Sequence, residues 1–217
     1  MAKKTEKNFI EALAENLEPV TPIPSSKRQT FIWVLCALAV IGLMVYYHGL
    51  RFDIQEKFHE IGFIIESGVF IILALIIAFA GFKLGVPNAE KSQRMWGALV
   101  YGGLIFWVVM FVYSLYQGFI TGAHHSHFHA GKFCSATIIA SALTSAGVMF
   151  YMMRQSFALS PILTGLAIGI TSSTIAYLGG MYFCSIEGGM HIALWHMLPV
   201  LIVSLLISVL GQFILKK

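Results

Sequence analysis

The sequence predicts an all-α membrane protein, a bundle of six transmembrane helices with both termini in the cytoplasm. The chain has 217 residues, of which 58% are hydrophobic and only 11% charged, whereas soluble domains carry about 25% charged residues. Six apolar stretches of 20 to 26 residues contain a single charged side chain, Glu66. About 20 apolar residues suffice for a helix to cross a bilayer. Basic residues are also distributed unequally between alternate loops, which sets the orientation.

The first element is a predicted cytoplasmic leader, residues 1–29, with a short amphipathic helix over about 6–18. Its apolar residues recur at helical spacings and share one face: Phe9, Ile10, Leu13 and Leu17. Three prolines then end the helix and favour an extended, Pro-rich connector: Pro19, Pro22 and Pro24.

Two interpretations of this leader helix stay open. It could lie on the bilayer surface, or it could fold into the groove of a protein partner. Surface-lying helices usually carry basic residues that meet anionic lipid, whereas this segment carries four acids, Glu6, Glu11, Glu15 and Glu18. The acidic character therefore favours a protein partner.

The transmembrane domain follows as residues 30–217. Its six predicted spans are 30–49, 61–82, 95–118, 133–153, 160–183 and 190–215. With both termini inside, eleven basic residues are cytoplasmic and three are outside. The cytoplasmic set is Lys3, Lys4, Lys7, Lys27, Arg28, Lys83, Lys91, Arg94, Arg154, Lys216 and Lys217, and the outer set is Arg51, Lys57 and Lys132. Glycines on the third and fifth spans, among them Gly102, Gly165 and Gly169, predict close helix contacts.

The sequence argues against several function classes. It contains no GxSxG or HExxH motif and no pair of acids in the middle of a span, so the usual hydrolase centres are absent. We therefore expect a protein that is not an enzyme and requires no cofactor. No basic cluster is dense enough to predict direct nucleic-acid binding.

In this topology all eight histidines and two of the three cysteines fall on the outer side. Four histidines crowd the second outer loop, and two more begin the sixth span: His124, His125, His127, His129, His191 and His196. Imidazole and thiolate bind zinc and copper, so one interpretation is a metal-responsive outer face. The other is a solvated loop that binds metal only adventitiously.

Cys134 and Cys184 lie at the outer ends of neighbouring spans, where three interpretations stay open. They could form a disulfide in an oxidising compartment, serve as metal ligands beside His191 and His196, or pack as two small apolar side chains. Glu66 lies about 7 Å below the start of the second span by helical rise. Such a residue is a functional candidate, although it could also extend to the outer surface, and His196 is a candidate hydrogen-bond partner.

Two segments resemble a known family: FIEALAENLEPVTPIPSSKRQTFIWVLCALAVI near the start and CSIEGGMHIALWHMLPVLIVSLLISVLGQFILKK at the end. They are similar to the NrsF-type six-helix anti-sigma factors of the bacterial inner membrane. The likeness includes Cys134, the turn from Arg154 to Pro161, and the series Cys184, His191, Trp195 and His196. It departs at the terminal Lys216-Lys217 and in the HHSHFH loop.

The resemblance implies that the leader captures an extracytoplasmic-function sigma factor until an envelope signal arrives. The implied partner-binding residues are Phe9, Ile10, Leu13, Leu17, Pro19, Val20 and Pro22. The implied signal sensors are Cys134 and Cys184, with metal or redox change as the signal. The rival hypothesis is a small membrane carrier or metal-handling protein that uses the outer histidines and cysteines, with the leader as a surface anchor.

Overall fold

The protein is a helical bundle built around one buried helix. A computed structural model describes residues 24–87, 90–121, 128–154 and 156–216. Within those residues six helices are long and apolar enough to cross a membrane, and no strand occurs. The predicted all-α, six-span fold class is therefore confirmed.

The first half of the bundle contains four helices: α1 (Ser26–His48), α2 (Ile54–Lys57), α3 (Ile61–Leu84) and α4 (Glu90–Ile120). Helix α1 begins four residues before the apolar stretch because Ser25 caps it, its side-chain oxygen accepting a hydrogen bond from the Arg28 amide at 3.4 Å. The basic pair Lys27 and Arg28 therefore lies in the first helical turn.

The second half contains α5 (Phe128–Met153), α6 (Pro161–Phe183), α7 (Gly189–His191) and α8 (Leu198–Ile214). A π-helical segment, Ile192–Met197, joins α7 to α8, so that the three form one continuous span over Gly189–Ile214. Sequence periodicity predicted a regular helix in this place. The π-helical segment was not predicted, and it shapes the site described below.

Helix α6 is the centre of the bundle, since 89% of its spanning segment is buried, against 17–44% for the other five spans. It packs most closely against α8, because Gly165 and Gly169 expose backbone to backbone. A Cβ atom on Gly165 would lie 2.8 Å from the Ile207 carbonyl oxygen, and one on Gly169 would lie 2.6 Å from the Ser204 carbonyl oxygen. Only glycine allows the two backbones to approach so closely. The close contacts predicted at these two glycines are confirmed. The one predicted at Gly102 is wrong, because that residue faces open space.

The outward faces of the other spans are apolar. Leu35, Ile72, Val109 and Leu205 are each more than half exposed, as expected of side chains that contact lipid. We call the end of the bundle where α1 and α6 end, and where α3 and α5 begin, the cysteine end. Helix α1 begins, and helix α8 ends, at the opposite end.

Candidate metal and thiol site at the cysteine end

Four potential ligands converge at the cysteine end, and we call them the Cys–His cluster: Cys134, Cys184, His191 and His196. Each offers one sulfur or nitrogen atom, and these four atoms all lie within 4.8 Å of one another. All four side chains are buried, His191 completely. In sequence they span 63 positions, so only the fold brings them together.

Three of the six spans supply the cluster: α5, α6 and the continuous span over Gly189–Ile214. Cys134 lies near the start of α5, and Cys184 directly follows the last residue of the central helix α6. His191 ends α7, and His196 lies in the π-helical segment. Because α6 is fixed by its packing against every other span, Cys184 occupies a defined position to which the other elements bring their ligands.

Two of the distances in the cluster match those between the ligands of a tetrahedral metal ion, and all four atoms lie within 4.8 Å of one another. The Cys184 sulfur lies 3.5 Å from the Cys134 sulfur and 3.5 Å from His191 Nε2. Tetrahedral zinc, with Zn–S near 2.3 Å and Zn–N near 2.0 Å, separates neighbouring ligand atoms by about 3.3–3.8 Å. The two cysteines are free thiols in this structure, since a disulfide bond is about 2.05 Å long. The residues present are a Cys₂His₂ set.

The π-helical segment is the reason why both histidines belong to the cluster. Residues five apart on a regular α-helix point about 140° away from each other. Hydrogen bonding from i to i+5 closes a wider turn and returns such residues to nearly the same side. The rings of His191 and His196 accordingly lie with centroids 5.3 Å apart. A regular helix would carry one of the two side chains away from the cysteines.

Pro199 and Ser135 stabilise this irregular turn. Pro199 has no N–H group, so it cannot donate the regular helical hydrogen bond to the Trp195 carbonyl. The Ser135 hydroxyl, next to Cys134 in sequence, donates to that carbonyl at 2.8 Å. The Trp195 carbonyl, which is partly buried and cannot accept from Pro199, thus receives a hydrogen bond from the helix that carries Cys134. The sequence does contain a signal for this turn, namely two histidines five residues apart followed by a proline. Hydrophobic periodicity alone does not reveal that these residues form a π-helical turn.

A second group of side chains joins the α1–α3 connection to the loop after α6 through ion pairs. We call this group the Arg51 clasp, and its members are Arg51, Asp53, Lys57, Glu60 and Glu187. The Arg51 side chain is 4% exposed and donates to both carboxylate oxygens of Asp53 at 2.7 Å and to Glu187 at 2.7 Å. Its backbone N–H donates to the Tyr182 carbonyl oxygen at 2.9 Å. Gly49, at φ +77°, permits the turn that brings Arg51 there. Glu187 lies between Cys184 and His191 in sequence, so the clasp holds the cluster's own loop.

The charges of the clasp shift one another's pKa values in the expected directions. The hydrogen bond from Arg51 lowers the pKa of Asp53 to about 2. Burial alone would raise the pKa of Glu187, but hydrogen bonds from Lys57 and Arg51 lower it overall. Hydrogen bonds to Glu187 and Glu60 raise the pKa of Lys57. Hydrogen bonding with Cys134 and with His191 lowers the pKa of the Cys184 thiol, although burial acts in the other direction, and this favours the thiolate that metals bind.

Glu66 lies beside the cluster with a partner that sequence did not identify. The Tyr177 hydroxyl donates to its carboxylate at 3.2 Å, whereas the sequence pointed to His196. Tyr177 belongs to α6 and lies in a buried aromatic group with Phe70 and Trp107, at ring distances of 4.7 and 5.0 Å. These rings close the bundle below Glu66.

The remaining histidines and the predicted partner-binding residues of the leader lie elsewhere in the sequence. His48 stacks on Phe183 at 4.8 Å, and His59 is exposed and contacts the Gln55 carbonyl, so neither joins the cluster. The loop histidines His124, His125 and His127 lie outside the described residues, as does the side chain of His129. The residues predicted to bind the partner also lie outside them: Phe9, Ile10, Leu13, Leu17, Pro19, Val20 and Pro22.

Comparison with known proteins identifies the family. The sequence model of the NrsF family, described as negative regulator of sigma F, matches residues 13–216. No curated protein and no solved structure shows significant similarity to the chain. The match covers nearly the whole sequence, including all four residues of the Cys–His cluster. This six-helix protein therefore belongs to the NrsF family of negative regulators of sigma F.

Proposed function

We propose that this protein is a membrane-bound anti-sigma factor that holds an extracytoplasmic-function sigma factor through its leader and releases it when the Cys–His cluster binds a metal ion. The observation that carries the regulatory role is the family match over residues 13–216. That range includes the second half of the leader, with Leu13, Leu17 and the proline connector. Family membership favours the regulator over the carrier hypothesis.

This function requires the two ends of the bundle to face different compartments. A sigma factor acts on RNA polymerase, so the leader must lie in the cytoplasm, and α1 must enter the bacterial inner membrane from that side. Lys27, Arg28, Lys83 and Arg94 lie towards the end of the bundle where α1 begins, which agrees with the positive-inside rule. The Cys–His cluster then faces the outside of the inner membrane, where an envelope signal can reach it.

A soft or borderline divalent cation suits the cluster, with zinc and copper as the candidates. Binding joins the ion to two thiolate sulfurs and two neutral imidazoles, and it releases the protons that the two sulfurs still carry. Oxidation of the two cysteines is the competing signal. The metal is favoured because His191 and His196 complete a four-ligand set that a disulfide would not use.

The contacts of α1 supply a route from the cluster to the leader. The Arg51 clasp and the stacking of His48 on Phe183 attach the end of α1 to the residues around Cys184. Helix α1 is also the least buried span, at 17%, so few contacts oppose its displacement. Movement of the 184–191 loop on metal binding would therefore displace α1, and the leader is the segment that directly precedes α1.

Co-purification tests the leader. Replacing Phe9, Leu13 and Leu17 with serine should abolish capture of the sigma factor that co-purifies with the intact protein, because the apolar face of the helix is removed. Serine at Glu11, Glu15 and Glu18 is the matched control, since these residues lie on the opposite face of the predicted helix, and it should retain capture. Equal capture by both triple variants would show that the leader is not the sigma-binding element.

Metal-triggered release tests the sensor. Zinc added to the purified complex in lipid nanodiscs should release the sigma factor, and Cys134→Ser or Cys184→Ser should prevent that release. Release by zinc from both cysteine variants would contradict a sensor at the cluster. Two results together would establish the carrier hypothesis instead. The purified protein would transport zinc across the membrane of vesicles, and deletion of the leader would leave expression of the sigma factor's target genes unchanged.

A further inference from the structure

A cleft of about 290 Å³ leads from the surface of the cysteine end to the Cys–His cluster. Its rim carries Glu60 and Glu187, whose side chains are about half exposed, and also Arg51 and Lys57, which form ion pairs with these two carboxylates. Its interior is lined by Glu66, Tyr177, Cys184 and His196. Two of the four cluster ligands thus face the cleft.

Two neighbouring cavities do not offer the same access. One, of about 380 Å³, is lined by Glu66 and Gln117 and reaches no residue of the cluster. The other, of about 410 Å³, is lined by His48 and Thr137 and likewise includes none of the four ligands. Of these three cavities, the cleft is the one that brings carboxylates together with ligands of the cluster, Cys184 and His196.

Glu66 differs from the carboxylates at the rim because it lacks a basic partner. Asp53, Glu60 and Glu187 all pair with Arg51 or Lys57. In the described part of the chain no lysine or arginine forms an ion pair with Glu66, and its recorded partner is the neutral Tyr177 hydroxyl. A half-buried carboxylate without a counter-ion attracts a cation strongly, because water screens it incompletely.

His196 gives an independent indication that a ligand enters here. The residue is 4% exposed, and its Nε2 has no hydrogen-bond partner among the described residues. A buried imidazole nitrogen without a partner is costly in free energy. A cation that arrives through the cleft would meet the His196 imidazole together with the Cys184 sulfur.

We propose that this cleft is the route by which a soft or borderline divalent cation reaches the Cys–His cluster, and that Glu66 is a relay ligand that binds the ion transiently on the way. The proposal rests on the proposed metal sensing by the cluster. A carboxylate oxygen of Glu66 replaces part of the ion's water shell, and the ion then passes to His196 and Cys184. Because a relay ligand lowers the barrier in both directions, Glu66 controls the rates of binding and release and leaves the equilibrium affinity unchanged.

Cobalt(II) is the probe, because cobalt–thiolate bonds absorb in the near ultraviolet and report arrival at the cysteines. The full chain in nanodiscs is mixed with cobalt in a stopped-flow instrument. We expect Glu66→Gln, which keeps the side-chain shape, to slow association and dissociation by the same factor, about tenfold. The dissociation constant should stay within about twofold of the wild-type value.

A steric pair of variants tests the route itself. Gly62 lines the cleft, and a Cβ atom there meets nothing within 4 Å; Gly68 on the same helix is equally open but does not line the cleft. Gly62→Trp should slow cobalt binding by about tenfold or more, whereas Gly68→Trp should bind at the wild-type rate. Full absorbance at saturating cobalt shows that each variant is folded.

Three outcomes would overturn the proposal. Wild-type rates in Gly62→Trp and Glu66→Gln would mean that the ion arrives elsewhere. A weaker affinity of Glu66→Gln with an unchanged association rate would make Glu66 a permanent ligand instead of a relay. Absence of the cobalt–thiolate band in the wild-type protein would refute metal sensing by the cluster. This failure is distinct from failure of the cleft proposal, because it is seen in the wild-type protein, whereas failure of the cleft proposal is seen only in the rates of the variants.

Discussion

The Arg51 clasp provides the sharpest test of how the cluster communicates with α1. Replacing Arg51 with leucine removes the guanidinium and keeps an apolar side chain of moderate size. The variant loses the two-point contact with Asp53 and the contact with Glu187, each at 2.7 Å. We expect the metal still to bind, because no cluster ligand is changed, but the movement of the loop should no longer reach α1.

The free energy lost on replacing Arg51 depends on how deeply its carboxylate partners, Asp53 and Glu187, are buried. Removing one partner from a fully buried ion pair costs about 3–5 kcal/mol. Here the arginine side chain is 4% exposed, but Asp53 and Glu187 are 18% and 51% exposed, so water can solvate the carboxylates that remain. We therefore expect the clasp to weaken by about 2 kcal/mol, which corresponds to about 30-fold in the equilibrium between closed and open clasp.

Hydrogen exchange followed by mass spectrometry measures that change at the amide of residue 51, which donates to the Tyr182 carbonyl oxygen. Its exchange should accelerate about 30-fold in the leucine variant, and zinc should no longer release the sigma factor. Lys57→Leu is the matched control, because Lys57 also pairs with Glu187 but is more exposed, and its loss should cost less than about 1 kcal/mol. Zinc-triggered release at the wild-type level from the Arg51 variant would refute a route through the clasp.

Three further predictions concern the turn and the clasp. Ser135→Ala should destabilise the π-helical turn by about 1 kcal/mol and lower zinc affinity about tenfold, measured by competition with a chelator; unchanged affinity would contradict a supporting role. Pro199→Ala restores a donor for the Trp195 carbonyl and favours a regular helix, so zinc affinity should fall by about 100-fold, and retained affinity would show that the proline is unimportant. Below pH 4 the clasp should loosen, because the pKa of Asp53 is lowered to about 2 and that of Glu187 is also lowered. The stability that these carboxylates contribute is complete above their ordinary pKa values and is lost as pH falls through the lowered ones; a thermal midpoint that is constant from pH 6 to pH 2.5 would contradict this.

The sequence determined the fold class because lipid imposes a simple rule. A chain that crosses hydrocarbon must satisfy its backbone hydrogen bonds internally, and it must present about 20 apolar residues for each crossing. That rule needs no knowledge of neighbouring helices, so counting apolar stretches gave six spans. Local signals also located the close approach of α6 at Gly165 and Gly169.

Hydrophobic spacing and single-residue signals did not predict contacts between residues that are far apart in the sequence. The sequence singled out Glu66 as a functional candidate, but its partner Tyr177 lies on another helix, and no spacing rule connects the two residues. The π-helical turn was missed because it arises from a competition between helix regularity and the donation of Ser135 to the Trp195 carbonyl across two spans. Backbone irregularity of this kind depends on tertiary contacts.

The sequence by itself thus determined that this is a six-span helical membrane protein with histidine and cysteine concentrated in a few segments, and the order of its motifs was enough to indicate the NrsF family. Only the tertiary structure decided which of those residues form one site. Cys134, Cys184, His191 and His196 meet because the buried α6 fixes one cysteine, α5 brings the other, and the π-helical turn aligns both histidines. Hydrophobic spacing is a property of each segment, whereas a ligand set is a property of how the segments pack.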